Sequence, residues 1–190
     1  MAVFPLFFEL QGRRVLVVGA GAVGARRIAA LEEFGADLTV VSCEVRPEIR
    51  KLAAEGRIRL FKGRYEDWRE QLDREEPFFL VLAASGNQAD ALAGEDAKRR
   101  GSFFNLANDR RRSDFYFPGI ARFGALTAGI VGDGADHALT RRAAGELRRF
   151  LRAAGAAAGS DLPDTASFRI RVASREGARA VAQSPLAVGA

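Results

Sequence analysis

From Arg14 onward the chain alternates short apolar runs with amphipathic stretches, a pattern that predicts a parallel sheet with crossover helices. "RVLVVG" is a continuous, mostly β-branched run, as expected of a central strand buried on both faces. "AVGARRIAALEEFG" follows with Val23, Ile28 and Leu31 at helical spacing and Gly35 as a C-cap. "DLTVVS" is the second strand, and "RPEIRKLAAEG" a helix with Pro47 in its first turn. "IRLFKG", "YEDWREQL", "FFLVLAAS", "QADALAGEDAKRRG" and "SFFNLAN" continue as strand, helix, strand, helix and strand. The pattern predicts a doubly wound α/β domain, with "FPLFFEL" before it as a strand or edge segment packing on the first sheet.

After Asp114 the pattern changes. "FYFPGIARFG" and "ALTAGIVG" predict two strands joined by a turn, and "DHALTRRAAGELRRFLRAAG" a helix with Leu139, Ala143, Leu147 and Leu151 on one stripe. That stripe needs cover, and a partner subunit would provide it. The expected organisation is a Rossmann-type domain over residues 1–113, a small α+β region over 114–154, and a linker-like tail over 155–190. In the tail only "FRIRV" suggests a strand.

The glycine motif sharpens the reading. "VVGAGAVG" sets Gly19, Gly21 and Gly24 in G-x-G-x-x-G spacing, directly after a strand and opening a helix, the context such a motif requires. Gly19 allows the tight turn, Gly21 lets a pyrophosphate approach, and Gly24 lets helix and strand pack closely. Ala22, Val23 and the amides of the helix start complete a phosphate cradle. Strand two ends at Ser42 and Cys43 without the usual acid. Ser42 or Glu44 would read a ribose hydroxyl, whereas Arg46 would tolerate a 2′-phosphate, and NAD is the expected cofactor. Ala84 and Ser85, at the end of strand four, fall on the nicotinamide side.

Composition narrows the rest. Cys43 is the one cysteine and His137 the one histidine, which leaves no disulfide framework and no cysteine- or histidine-rich metal site. The N-terminus lacks the basic region and cleavage site of a signal peptide, and no apolar run is long enough to span a membrane. A cytoplasmic protein is the expectation. A net charge of +5 and a pI of about 10.1 invite a nucleic-acid reading. The excess is spread among interleaved acids with no aromatic–basic alternation, which argues for a polyanionic small molecule instead.

"FFNLANDRRRSDFYFPG", residues 103–119, is the stretch that such a ligand would explain. Together with "FPLFFELQGRRVLVVGAGAVG", "LVLAAS", "DFYFPGIARFGALTAGIVGDGA" and "ALTRRAAGEL", it resembles the precorrin-2 dehydrogenase family, which also forms the N-terminal module of siroheme synthases. The resemblance covers about residues 4–150. It implies NAD-dependent oxidation of the anionic tetrapyrrole precorrin-2 by a homodimer whose second region supplies the contacts. In some members it also implies ferrous iron insertion. Arg110, Arg111, Arg112, Arg122, Arg141 and Arg142 would then border a pocket for a carboxylate-rich substrate, with Asn105 beside them.

Two departures from the family pattern stand out. Counting back from Pro118, Asn108 occupies the position of a family aspartate, and Asp109 is the next residue. An amide can orient a substrate but is no general base, so with Asp109 or Asn108 at the active centre, either Asp109 takes over the role after a small backbone change or the protein lacks it. In place of a Ser/Gly-rich loop the chain reads "VGDGADHA", which sets Asp133, Asp136 and His137 at the expected substrate edge. Asp136 also suits the N-cap of the helix that follows. The alternatives are a diverged, non-catalytic dinucleotide- or tetrapyrrole-binding relative and an NAD-dependent enzyme with another anionic substrate.

Overall fold

The computed structural model describes residues 3–134 and 136–157; the tail and its "FRIRV" segment lie outside them. Strands β1 (Arg14–Ala20), β2 (Asp37–Val45), β3 (Arg59–Lys62), β4 (Leu80–Ala83) and β5 (Phe103–Leu106) form one parallel sheet in the order β3-β2-β1-β4-β5. Helices α1 (Ala22–Glu33), α2 (Pro47–Ala54), α3 (Tyr65–Asp73) and α4 (Ala89–Arg99) are the crossovers. The order reverses between β1 and β4, so a crevice opens beyond their C-terminal ends.

The alternation within each strand decides which helix covers which face. Val15, Val17, Leu38, Val40, Leu80 and Leu82 pack with Ile28 and Leu31 of α1 and Ile49 of α2. Leu16, Val18, Val41, Val81, Phe104 and Leu106 turn the other way, onto Leu72 of α3 and Ala93 and Ala97 of α4. With both faces buried, the strands read as unbroken apolar runs.

Two expectations are corrected. "FPLFFEL" forms no strand: Phe4, Leu6 and Phe7 are exposed, while Phe8 packs on the Phe79 and Phe103 rings at 5.3 and 5.7 Å. "FYFP" also stays outside the strands, because Pro118 lacks a donor and the Phe115 carbonyl is taken by the Asn105 side chain.

The contacts separate two units, one formed by the chain up to Pro118 with Asp133 and Gly134, the other by Gly119–Gly132 and the chain from Asp136. The division falls after Pro118, beyond the expected boundary at 113, because Phe115 and Phe117 pack on the core of the large sheet. In the second unit, strands β6 (Gly119–Phe123) and β7 (Leu126–Ile130) form an antiparallel hairpin that packs with helix α5 (His137–Ala157). Ala144 and Leu151 of α5 are buried, and Gly119 lies so close to Ala144 that an added Cβ would come within 2.9 Å. The hairpin thus covers part of the α5 stripe, while Leu139 stays exposed.

Candidate functional site

The turn from β1 into α1 is built around its glycines. Gly19 has φ +99°, and a Cβ there would lie 2.6 Å from the Ser85 amide nitrogen. A Cβ on Gly24 would lie 1.9 Å from the Gly19 carbonyl, so these two positions need glycine for packing. Gly21 differs: its backbone is extended, and nothing lies within 4 Å of the place a Cβ would take. Helix α1 has no side-chain cap and no acid in its first turn. Its first ladder bond runs from the Ala25 amide to the Gly21 carbonyl at 2.8 Å, leaving the first-turn amides outside the ladder for an anion.

The glycine turn borders a cleft of about 500 Å³. Gly19, Gly21, Ser42, Cys43, Ala84 and Ser85 line it. Ala22 and Val23 form the exposed start of α1, and Gly24 is buried beneath. The Ser42 hydroxyl accepts from the Ala20 amide at 2.9 Å and donates to the Glu44 carbonyl at 2.7 Å. Its proton is therefore spent, and towards a ribose it can only accept. Glu44 lines the same wall and is exposed. Arg46, the residue expected to favour a 2′-phosphate, donates to Glu48 at 2.6 Å.

Cys43 is exposed on this wall. Alkylation with N-ethylmaleimide should therefore block dinucleotide binding, and saturating NAD should slow the labelling. Labelling at the same rate with and without NAD would place the dinucleotide elsewhere.

Sequence reasoning missed three contributors. Arg64 and Tyr65, from the loop after β3 and the start of α3, form a further wall. Asp90, only 6% exposed in the first turn of α4, accepts from the Ser85 and Gly86 amides, each at 2.9 Å, and from the Ser85 hydroxyl at 2.6 Å. It holds the loop that presents Ala84 and Ser85 to the cleft. An acid in a first helical turn, just after "SGN", was the available signal.

Tyr65 is anchored in turn by Asp96, which is 5% exposed. Asp96 accepts from the Tyr65 hydroxyl at 3.0 Å, from Arg69 through a fork of 2.6 and 2.7 Å, and from Arg99 at 3.0 Å. Burial, then the Asp96 charge, raise the Tyr65 pKa far above its ordinary value. Burial works to raise Asp96 as well, but the hydrogen bonds from Arg69, Arg99 and Tyr65 outweigh it and hold the carboxyl below the usual range. A depressed folded pKa stabilises the fold above the unfolded value of about 4 and loses that contribution as pH falls below it. Asp96→Asn is expected to cost about 2 kcal/mol at neutral pH. Its acid unfolding profile should be flatter below about pH 4. Unchanged neutral-pH stability would refute this role.

Beyond β5, Asp109 caps a 3-10 turn over Arg110–Arg112: its Oδ1 accepts from the Arg111 amide at 2.9 Å. Ser113 pins the turn by donating to the Asp109 carbonyl at 3.0 Å and accepting from the Leu106 amide at 2.9 Å. Asp109 Oδ2 accepts no hydrogen bond among the described residues, so half of the carboxylate is unspent. Asn108 is exposed, with no side-chain hydrogen bond among the described residues. Arg111 is exposed beside Asp109, with a 3.6 Å separation, and Arg110 stacks on Tyr116 at 4.0 Å.

Gly134 lies against Arg110 within the same unit. Asn105, in contrast, is 3% exposed, with both ends of its amide engaged inside the protein. Arg122, on β6, and His137, at the start of α5, belong to the second unit. Asp136 caps α5, accepting from the Leu139 amide at 2.7 Å. Among the described residues no three histidine, cysteine, aspartate or glutamate side chains gather as a metal site.

A glycine turn at a sheet's switch point, an uncapped helix start and a cleft along the strand ends define a nucleotide-binding α/β protein, and these residues suit a dinucleotide. Residues 6–119 match the family model described as putative NAD(P)-binding. The chain belongs to that family. It is 32% identical over 151 residues to a probable multifunctional siroheme biosynthesis protein HemA of Ruminiclostridium josui, covering 79% of this chain and 28% of that one. It is 34% identical over 152 residues to a siroheme synthase of Neisseria meningitidis, covering 80% and 31%. The chain thus spans under a third of the length of these two relatives. A precorrin-2 dehydrogenase of Bacillus subtilis is 28% identical over 153 residues, 77% of this chain and 88% of that one. The solved structure of SirC, a precorrin-2 dehydrogenase, superposes with a TM-score of 0.59 at 28% identity, covering 84% of this chain and 72% of that one. These relatives bear out the resemblance read from the motifs, and the SirC superposition bears out the fold class.

Proposed function

We propose that this protein is an NAD-dependent dehydrogenase that oxidises precorrin-2 to sirohydrochlorin. The observation that carries the reading is the intact dinucleotide cleft, open at Gly21, in a chain whose relatives are named for siroheme synthesis and precorrin-2 oxidation. NAD, when bound, accepts a hydride; the second hydrogen of the oxidation leaves as a proton. The first-turn amides of α1 hold the pyrophosphate, and the Glu44 carboxylate on the wall favours NAD over NADP by repelling a 2′-phosphate. Asp109 takes the proton at Oδ2, the oxygen left free by the cap. Arg110 and Arg111 pair with substrate carboxylates.

A homodimer formed through the second unit accounts for the exposed apolar residues Phe123, Leu126 and Leu139. No helix among the described residues is long and apolar enough to cross a membrane, and a cytoplasmic location suits the proposed reaction. Nucleic acid is not expected as a partner.

A second reading, a diverged relative that binds dinucleotide or tetrapyrrole without turnover, rests on Asn108 at the family's aspartate position. Anaerobic incubation with precorrin-2 separates the two, run once with NAD and once with NADP. The first reading requires reduced cofactor and sirohydrochlorin in equal amounts, formed faster with NAD. Binding of NAD without product would favour the second.

A further inference from the structure

Helix α1 carries two consecutive arginines that meet different surroundings. Arg26 is exposed and bonds back to the Ala22 carbonyl at 3.2 Å. Arg27 is half-buried, and its Nη1 donates to Asn105 Oδ1 at 2.6 Å. The Asn105 amide is itself fixed, donating from Nδ2 to the Phe115 carbonyl at 2.7 Å. Beneath the guanidinium lies the Phe117 ring, 5.2 Å from the central carbon.

No carboxylate among the described residues pairs with Arg27. The contrast with other packed arginines of this unit is clear: Arg14 meets Glu75, and Arg100 lies 3.5 Å from Asp73. Burial and the neighbouring Arg26 charge both lower the Arg27 pKa, and no anion offsets them. A desolvated guanidinium without a counter-ion is costly to keep. It is also an anion receptor in waiting: one donor is fixed on Asn105, the plane rests on an aromatic face, and the remaining N–H groups form a fork that matches a carboxylate.

We propose that Arg27, held by Asn105 and Phe117, binds one carboxylate of the tetrapyrrole substrate. This rests on the reading of the protein as a tetrapyrrole enzyme. The other anion at hand is the dinucleotide pyrophosphate. It is disfavoured because the cleft that would hold it is lined by neither Arg27, Asn105 nor Phe117. Arg27 instead reaches the β5 side, towards the segment that carries the candidate catalytic turn. A membership in the substrate site also explains why a buried amide on β5 is spent on orienting an arginine.

The test uses the full chain and two probes, uroporphyrin III, which carries eight carboxylates, and NAD. Arg27→Gln should weaken uroporphyrin binding by about tenfold or more and leave the NAD Kd unchanged. Arg27→Lys, a point charge without the fork, should fall between. With precorrin-2 as substrate, the loss should appear in KM more than in kcat. Equal uroporphyrin affinity for wild type and Arg27→Gln overturns the proposal, as does a parallel loss of NAD affinity, which would assign the anion to the dinucleotide. If Arg27→Gln is poorly folded, Arg27→Lys decides alone by the same two affinities. Arg27-dependent uroporphyrin binding in a protein that does not oxidise precorrin-2 would sink the dehydrogenase reading and keep this one. Normal turnover with an unchanged KM in Arg27→Gln would do the reverse.

Discussion

Gly21→Asp is expected to weaken NAD binding by about a hundredfold while leaving the fold intact. The backbone at Gly21 is extended, a conformation any residue adopts, and the space where a side chain would grow is empty to 4 Å. The substitution therefore carries neither strain nor clash. The same space is the approach to the α1 amides, so the new carboxylate would stand where the pyrophosphate must lie. Two like charges about 4 Å apart at an effective dielectric near 20 repel by about 4 kcal/mol. Even partial screening leaves an affinity loss of about a hundredfold. Isothermal titration checks the loss and thermal unfolding checks the fold, with Tm expected within about 2 °C of wild type. Gly19→Ala is the useful contrast. It sets a Cβ against the Ala84 and Ser85 backbone at positive φ and should lower stability itself.

Asp109→Ala should lower kcat for precorrin-2 oxidation by about two to three orders of magnitude, the usual worth of a general base. The NAD Kd should not move, because Asp109 lies after β5 and does not line the cleft. Losing the cap on the 3-10 turn would cost about 1 kcal/mol, too little to unfold the domain. Asp109→Asn separates the two effects: an amide oxygen can still accept from the Arg111 amide, but the group cannot take a proton. It should restore the turn without restoring turnover. Asn108→Ala should have a small effect, since Asn108 makes no side-chain hydrogen bond among the described residues. Turnover untouched in both Asp109→Ala and Asn108→Ala would remove the strand-five turn from the mechanism.

Most of the large sheet was legible because both faces of β1, β2 and β4 are buried, so their apolar runs are continuous. The cofactor turn was legible for a different reason: the packing at Gly19 and Gly24 admits almost no other residue. Helix α5 and the hairpin could be read from periodicity and turn position. The aromatic N-terminal segment could not, because β propensity describes a side chain's fit to a pleated surface and does not supply a strand to pair with. Phe8 instead reaches the sheet through ring contacts.

Charged residues on helices were the least legible part of the site. Arg26 and Arg27 are chemically identical neighbours, and only the three-dimensional positions of Asn105 and Phe117 distinguish them. Asp90 and Asp96 look like ordinary surface acids of an amphipathic helix. Folding makes one the holder of the Ser85 loop and the other the anchor of Tyr65. Asn105 makes a different point. A polar residue at a strand end suggests a ligand contact, and in the fold its buried amide bonds Arg27 and the Phe115 carbonyl.

The central claim joins one dinucleotide cleft to one oxidation, and anaerobic turnover of precorrin-2 with excess NAD tests it most directly. NADH and sirohydrochlorin should be followed together, with Gly21→Asp as the control. The account predicts one NADH for each sirohydrochlorin formed by the wild-type protein, and far slower formation of both by the variant at the same NAD concentration. Sirohydrochlorin formed equally by both proteins, or no product from folded wild-type protein that binds NAD, would contradict it.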